Sequence, residues 1–250
     1  ENHNPEEQQF LIDEGFRMLK AYGNHPSFCM MSLGNELWGS KEKLNEILGK
    51  YKKFDNRHLY TQGSNNFQWG PCVLENDDFF VGVRLSKERL LRGSYAMCDA
   101  PQGHIQTQKP STTHSYDNAV LSKSQNSTEN GEIQIQYGTG VKTVKAQNSD
   151  EEFYPQIPII THEVGQYETY PDFNEIEKYT GSIKARNLEI FHERLTERGM
   201  LNQSEDFFYC SGQLAAQCYK QELEAAFRSK SIAGFQLLDL QDFSGQGMAL

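Results

Sequence analysis

The sequence predicts an α/β fold in which short parallel strands are covered by helices, and three observations predict it. A helical stretch, a short apolar run and a polar tip follow one another over residues 5–36. The same order returns over residues 40–66. Two further apolar runs stand at 158–162 and 234–238, with helical sequence between them. An apolar run without alternation suits a strand buried on both faces, the condition of a parallel sheet packed between helices.

In chain order, residues 5–22 carry Phe10, Leu11, Phe16, Met18 and Leu19 at roughly helical spacing, with acids early and Lys20 late as the helix dipole favours. Gly23-Asn24-His25-Pro26 stops this helix. The run 27–33 is the first strand and ends at Gly34-Asn35-Glu36. Ser40 is placed to cap a helix through Lys53 that carries Leu44, Ile47, Leu48 and Tyr51. Residues 59–63 form a second strand that runs into Ser64-Asn65-Asn66. From about 70 to 152 the chain is polar and rich in turn residues, which predicts a long loop over a site. Within it, Ile133-Gln134-Ile135-Gln136-Tyr137 alternates cleanly and Gly138-Thr139-Gly140 turns it towards 141–145, a hairpin. A third buried strand at 158–162 carries Glu163 at its end. Helices are predicted over 173–179, 182–198 and 203–228, and a fourth strand at 234–238 leads to Gln241 and Asp242.

The 250 residues include 24 basic and 34 acidic side chains, with a mean hydropathy of −0.70 and 37% hydrophobic residues. That is enough apolar material for a buried core. The acidic balance argues against a surface built to neutralise nucleic-acid phosphates or anionic lipid. No apolar run approaches the length of a membrane span. Cys29, Cys72, Cys98, Cys210 and Cys218 are widely spaced with no CxxC pair, so they read as buried or half-buried free thiols and not as a disulfide framework or zinc ribbon. The aromatic content, 15 Phe, 12 Tyr and 2 Trp, suits both a core and surfaces on which sugars stack.

Glu36 and Glu163 stand out by position, each at the C-terminal end of a predicted buried strand. In a barrel of parallel strands that end carries the active site. Two carboxyls from different strands are what glycosidic bond cleavage needs, one protonated to meet the leaving oxygen and one ionised to attack carbon or activate water.

The surrounding residues carry a resemblance. Asn24-His25-Pro26-Ser27, a short apolar strand, and then Leu33-Gly34-Asn35-Glu36 resemble the acid/base segment of glycoside hydrolase family 2, the family of β-galactosidases, β-mannosidases and β-glucuronidases. Pro158-Ile159-Ile160-Thr161-His162-Glu163 is similar to its nucleophile strand, and the segment from Gly234 to Phe243 to its last barrel strand. The resemblance covers nearly the whole of residues 1–250 and is weakest in the middle loop. It implies a (β/α)8 TIM barrel, present here as a partial barrel of strands four to eight, with strand six at 95–98 or 113–116. The first three strands, and the domains that precede the barrel, would then lie upstream in the same polypeptide. The resemblance further implies Glu36 as acid/base, Glu163 as nucleophile, and Asn35 as a hydrogen-bond partner of the hydroxyl next to the anomeric carbon. The reaction would retain configuration, with carboxyl groups about 5–5.5 Å apart. A β-galactoside is the default substrate, with β-mannoside and β-glucuronide as alternatives. No Asn-x-Lys occurs to support the glucuronide.

Tyr116 is a candidate donor to hold Glu163 ionised. Asn65 and Asn66 offer amides to sugar hydroxyls or form a plain turn. Trp38 reads as a sugar-stacking ring or as packing. His162 lines the pocket or sits satisfied in the core, and Gln241 and Asp242 are binding residues or loop contacts. His162-Glu163-Val164-Gly165-Gln166 begins like a zinc-protease HExxH, but Gln166 stands where the second His is required. No metal or cofactor is expected. The partner is a carbohydrate, and the competing reading is a non-catalytic carbohydrate-binding or interaction protein on a degenerate or incomplete barrel.

Overall fold

The computed structural model describes residues 4–67, 70–86, 89–92, 115–121, 132–137, 140–145, 153–165, 167 and 169–238. Helix α1 (Pro5–Tyr22) starts from Asn4, whose side chain accepts the Glu6 N–H at 3.0 Å, with Pro5 in the first turn where its missing donor costs nothing. Helix α2 (Lys41–Phe54) starts from Ser40, whose hydroxyl accepts the Lys43 N–H at 3.1 Å. The two helices meet where the Tyr51 hydroxyl donates to the Ile12 carbonyl at 2.9 Å. Gly15 makes room for that ring, since a Cβ there would run into Tyr51. Burial pushes the Tyr51 phenol up to about 12. Ile12, Leu19, Ile47, Leu48 and Tyr51 form one core with Met31 and Tyr60 from the strands beneath.

Those strands are β1 (Met30–Ser32) and β2 (Leu59–Thr61), paired in parallel as Met30 to Leu59 and Ser32 to Thr61. A second parallel sheet runs in the order β3 (Phe80–Gly82), β6 (Ile159–Gly165), β7 (Gly234–Leu238). Between β3 and β6, β4 (Glu132–Tyr137) and β5 (Gly140–Lys145) form the antiparallel hairpin that the alternation predicts. A short helix, α3 (Asp117–Leu121), lies in the same interval.

The TIM barrel is corrected. The strands form two separate parallel sheets, of two and three strands, in a mixed α/β fold. Among the described residues they are joined by one parallel bridge, Ser64 to Val81, reinforced by the Asn65 N–H on the Val81 carbonyl at 3.0 Å and the Asp78 N–H on the Tyr60 carbonyl at 2.8 Å. The N–H groups that β2 and its continuation turn towards β3 are taken by side chains, Tyr60 by Asp78 and Gln62 by Asp77, both from the turn before β3, so no backbone ladder runs between β2 and β3. Among the described residues β1 and β7 each pair on one side only. β3 itself lies inside the stretch expected to be loop. It comes from the apolar run Phe79-Phe80-Val81-Gly82-Val83, bounded by Asp78 and Arg84, and is the buried-strand signal in its shortest form. Of the two options for strand six, 95–98 lies outside the described residues, as do residues 113 and 114.

The second half supplies the 3-10 turns Phe173–Lys178 and Leu201–Gln203 and the helices α4 (Arg186–Glu197) and α5 (Ser204–Arg228). Helix α5 covers β6 and β7. Its Glu222, 1% exposed, accepts hydrogen bonds from the Tyr167 hydroxyl at 2.7 Å and the Tyr116 hydroxyl at 3.3 Å. Of the thiols, Cys218 is buried and Cys72 half-buried, whereas Cys29 and Cys210 are exposed, contrary to expectation. Cys29 lies just before β1, and Cys210 lies on an outward face of α5. Cys98 lies outside the described residues. Among the described residues no helix is long and apolar enough to cross a membrane.

Gly15→Ala should destabilise the fold by about 1–3 kcal/mol through overpacking against Tyr51. Urea unfolding of the variant checks this, and Gly39→Ala, whose Cβ meets nothing within 4 Å, separates crowding from backbone strain at a position with φ of +116°.

Candidate active site

The parallel pairing of β1 and β2 continues past both strands as single hydrogen bonds. Ser64 donates its N–H to the Gly34 carbonyl and Glu36 donates to the Ser64 carbonyl, both at 2.9 Å. This carries the chain to Glu36, which takes the left-handed conformation at φ 54°. The turn opposite is braced by its own side chains. Asn66 accepts the Leu37 N–H at 2.7 Å and donates to the Gln62 carbonyl at 2.9 Å. Asp77 accepts from the Gln62 N–H at 2.6 Å, the Gln62 side chain at 2.8 Å and the Leu74 N–H at 2.7 Å. Burial raises the Asp77 carboxyl in spite of these donors.

Glu163 sits inside β6 and not at its end, because the strand continues to Gly165 through a bulge. Thr161 pairs with Phe235 and Val164 with Leu237, so His162 and Glu163 together oppose the single residue Gln236. Glu163 is left-handed at φ 53°. Gly165, at φ +119° with the Tyr219 ring against it, closes the bulge in a conformation that side chains rarely adopt. A non-glycine residue in the left-handed region costs about 1–3 kcal/mol and persists only where its surroundings hold it. Here Arg92, 4% exposed, donates from Nη1 to the Glu163 carbonyl at 2.8 Å and to its Oε2 at 3.0 Å.

The two sides meet at His162. Its Nε2 lies 2.9 Å from Asn35 Oδ1 and 3.5 Å from Glu163 Oε1, and its Nδ1 lies 2.8 Å from Gln236 Oε1. The electrostatics separate the two carboxyls. Glu36 remains accessible to solvent, yet desolvation and then the charge of Glu163 raise its carboxyl, outweighing a hydrogen bond from Asn65 and the charges of His162 and Arg92. For Glu163, burial acts upward, but the His162 hydrogen bond and the charge of Arg92 outweigh it and hold the carboxyl below its usual range.

The structure therefore gathers Glu36, Glu163, Asn35, Asn65 and His162 in one place. Asn65 and Asn66 are buried, and their amides serve Glu36, Leu37 and Gln62. Trp38 is 44% exposed beside Glu36, with its ring edge-on to buried Phe67 at 5.9 Å. Tyr116 is corrected: its hydroxyl turns to Glu222, and Arg92 and His162 are the side chains that meet Glu163. Gln241 and Asp242 lie outside the described residues. Arg92 and Gln236 escaped the sequence reading. Gln236 had a signal, a polar residue in the centre of an apolar strand. Arg92, one of four cations in residues 84–92, had none that distinguishes it from a surface residue. Among the described residues no group of three or more His, Cys, Asp or Glu is placed to hold a metal ion. No protein-family model and no curated protein matches the chain.

Arg92→Met should raise the Glu163 carboxyl and, by leaving it uncompensated in a half-buried site, cost about 3–5 kcal/mol at neutral pH. Because the folded carboxyl titrates below its unfolded value of about 4.3, its contribution is complete above that pH and is lost as pH falls through the lowered folded value. Chemical denaturation of both proteins across pH 2–7 should show their stabilities converging at the acid end.

Proposed function

We propose that the protein is a retaining β-glycosidase of glycoside hydrolase family 2 type that cleaves by double displacement between Glu163 and Glu36. The observation that carries this reading is the pair itself: two carboxyls from different strands, both on left-handed residues, shifted in opposite directions and linked through His162 and Asn35. Groups driven apart in this way are suited to opposite roles at one pH.

Glu163, held ionised by Arg92, attacks the anomeric carbon as Glu36 passes its proton to the departing oxygen. The product is a glycosyl ester on Glu163. Its negative charge is then gone, and with it the second of the two causes that raise the Glu36 carboxyl, so the Glu36 carboxylate is set to take a proton from water as that water attacks the anomeric carbon. The bond to Glu163 breaks, and configuration is retained over the two steps.

The plot of kcat/KM against pH should be bell-shaped, with an acid limb below the usual carboxylate range from Glu163 and an alkaline limb above it from Glu36. Glu36→Gln should remove the alkaline limb and lower turnover of substrates with poor leaving groups by about 10²–10⁴-fold. Glu163→Ala should abolish turnover of aryl β-glycosides, and azide should restore it with formation of the α-glycosyl azide. Failure of the folded full-length polypeptide to turn over any member of a galactoside, mannoside and glucuronide panel would overturn the reading and favour carbohydrate binding without chemistry.

A further inference from the structure

Gln236 is the one residue that β7 sets against the two-residue bulge of β6, and it is half-buried there. Its Oε1 lies 2.8 Å from His162 Nδ1, while His162 Nε2 lies 2.9 Å from Asn35 Oδ1. An amide oxygen only accepts, so each of these contacts requires a ring N–H. The contact at Nδ1 fixes the rotation of the imidazole. The contact at Nε2 then occupies the oxygen of the Asn35 amide and leaves its NH2 end on the other side. Asn35 is exposed, so those N–H donors are open to a ligand. Without the bulge, either His162 or Glu163 would lose its place, because alternate residues of a strand face opposite sides. The bulge allows one to turn to Gln236 and the other to Arg92.

We propose that Gln236 is a positioning residue: through His162 it orients the Asn35 amide so that its N–H donors meet a hydroxyl oxygen on the sugar carbon next to the anomeric carbon. The proposal rests on the glycosidase reading and concerns the specificity of that same site. It requires a ligand group that accepts, and it makes Gln236 matter only when that group is present.

The test uses Gln236→Leu, which removes the acceptor, and Gln236→Glu, which keeps one at the same reach. Each is assayed on an aryl β-glycoside and on its analogue lacking the hydroxyl next to the anomeric carbon. Gln236→Leu should lower kcat/KM for the parent glycoside by about 10²-fold, the scale of a misplaced contact. It should leave the deoxy analogue unchanged, and Gln236→Glu should recover most of the loss. In an Asn35→Ala background Gln236→Leu should have no further effect. An equal fall on both substrates, or no fall on the parent, overturns the proposal. Histidine 15N spectra read the device without turnover. The His162 ring resonances should move in Gln236→Leu and return in Gln236→Glu, whereas unmoved resonances overturn the relay. A wild-type protein that turns over neither substrate defeats the glycosidase reading, and the spectra then decide the relay by themselves.

Discussion

Arg92 grips Glu163 twice with one nitrogen, once on the backbone carbonyl and once on the carboxylate. The first contact stabilises a left-handed residue in the middle of a strand, which would otherwise relax. The second keeps the carboxyl ionised although it is largely removed from water. Backbone shape and side-chain charge therefore depend on the same guanidinium. A buried cation suits this task only if it is paired, and Glu163 in return compensates Arg92. Around this pair the bulge directs His162 to Gln236, Gly165 accommodates Tyr219, and Thr161 donates through its hydroxyl to the Leu91 carbonyl just before Arg92.

Glu36 is held by different means. It belongs to a turn whose backbone is threaded between two strands by single hydrogen bonds and whose side chains brace one another, with buried Asp77 at the base. Among the described residues nothing cationic grips Glu36 as Arg92 grips Glu163. Its raised carboxyl follows from desolvation and from a like charge nearby. The two acids thus differ by their neighbours and not by their chemistry, and the difference is greatest while Glu163 is charged. His162 and Asn35 add a side-chain connection between the two halves, bridging β6 to the turn after β1.

The legible parts of this molecule are those in which local sequence and local structure agree. Helix α1 runs from Pro5 to Tyr22 behind the Asn4 cap, and α2 starts at Lys41 behind the Ser40 cap, because caps and apolar spacing act within a few residues. The hairpin of β4 and β5 follows from alternation and a glycine turn. Both glutamates could be singled out because each follows a run that reads as a buried strand. Other features depended on partners far away in sequence. β3 was too short to stand out against a polar background. Tyr116 could be seen as a donor, but Glu222, its acceptor, lies 106 residues away on α5. Whether the parallel strands close into one sheet is also a long-range matter: Asp78 and Asp77 occupy the N–H groups of Tyr60 and Gln62 that a ladder to β3 would use, and among the described residues Ser64 to Val81 is the bridge that remains.

Sequence alone was sufficient for the parallel α/β character, the main helices and the Ser40 cap, and the two carboxyls, since each is written in a contiguous stretch that carries its own physical signal. Folding in three dimensions settled which groups surround those carboxyls. Arg92 reaches Glu163 across 71 positions, His162 reaches Asn35 across 127, and Gln236 reaches His162 across 74. Such contacts follow from strand register and from one bulge, where an added residue turns a side chain by half a pleat. No window of sequence contains that register, because it is fixed only when β6 and β7 pair.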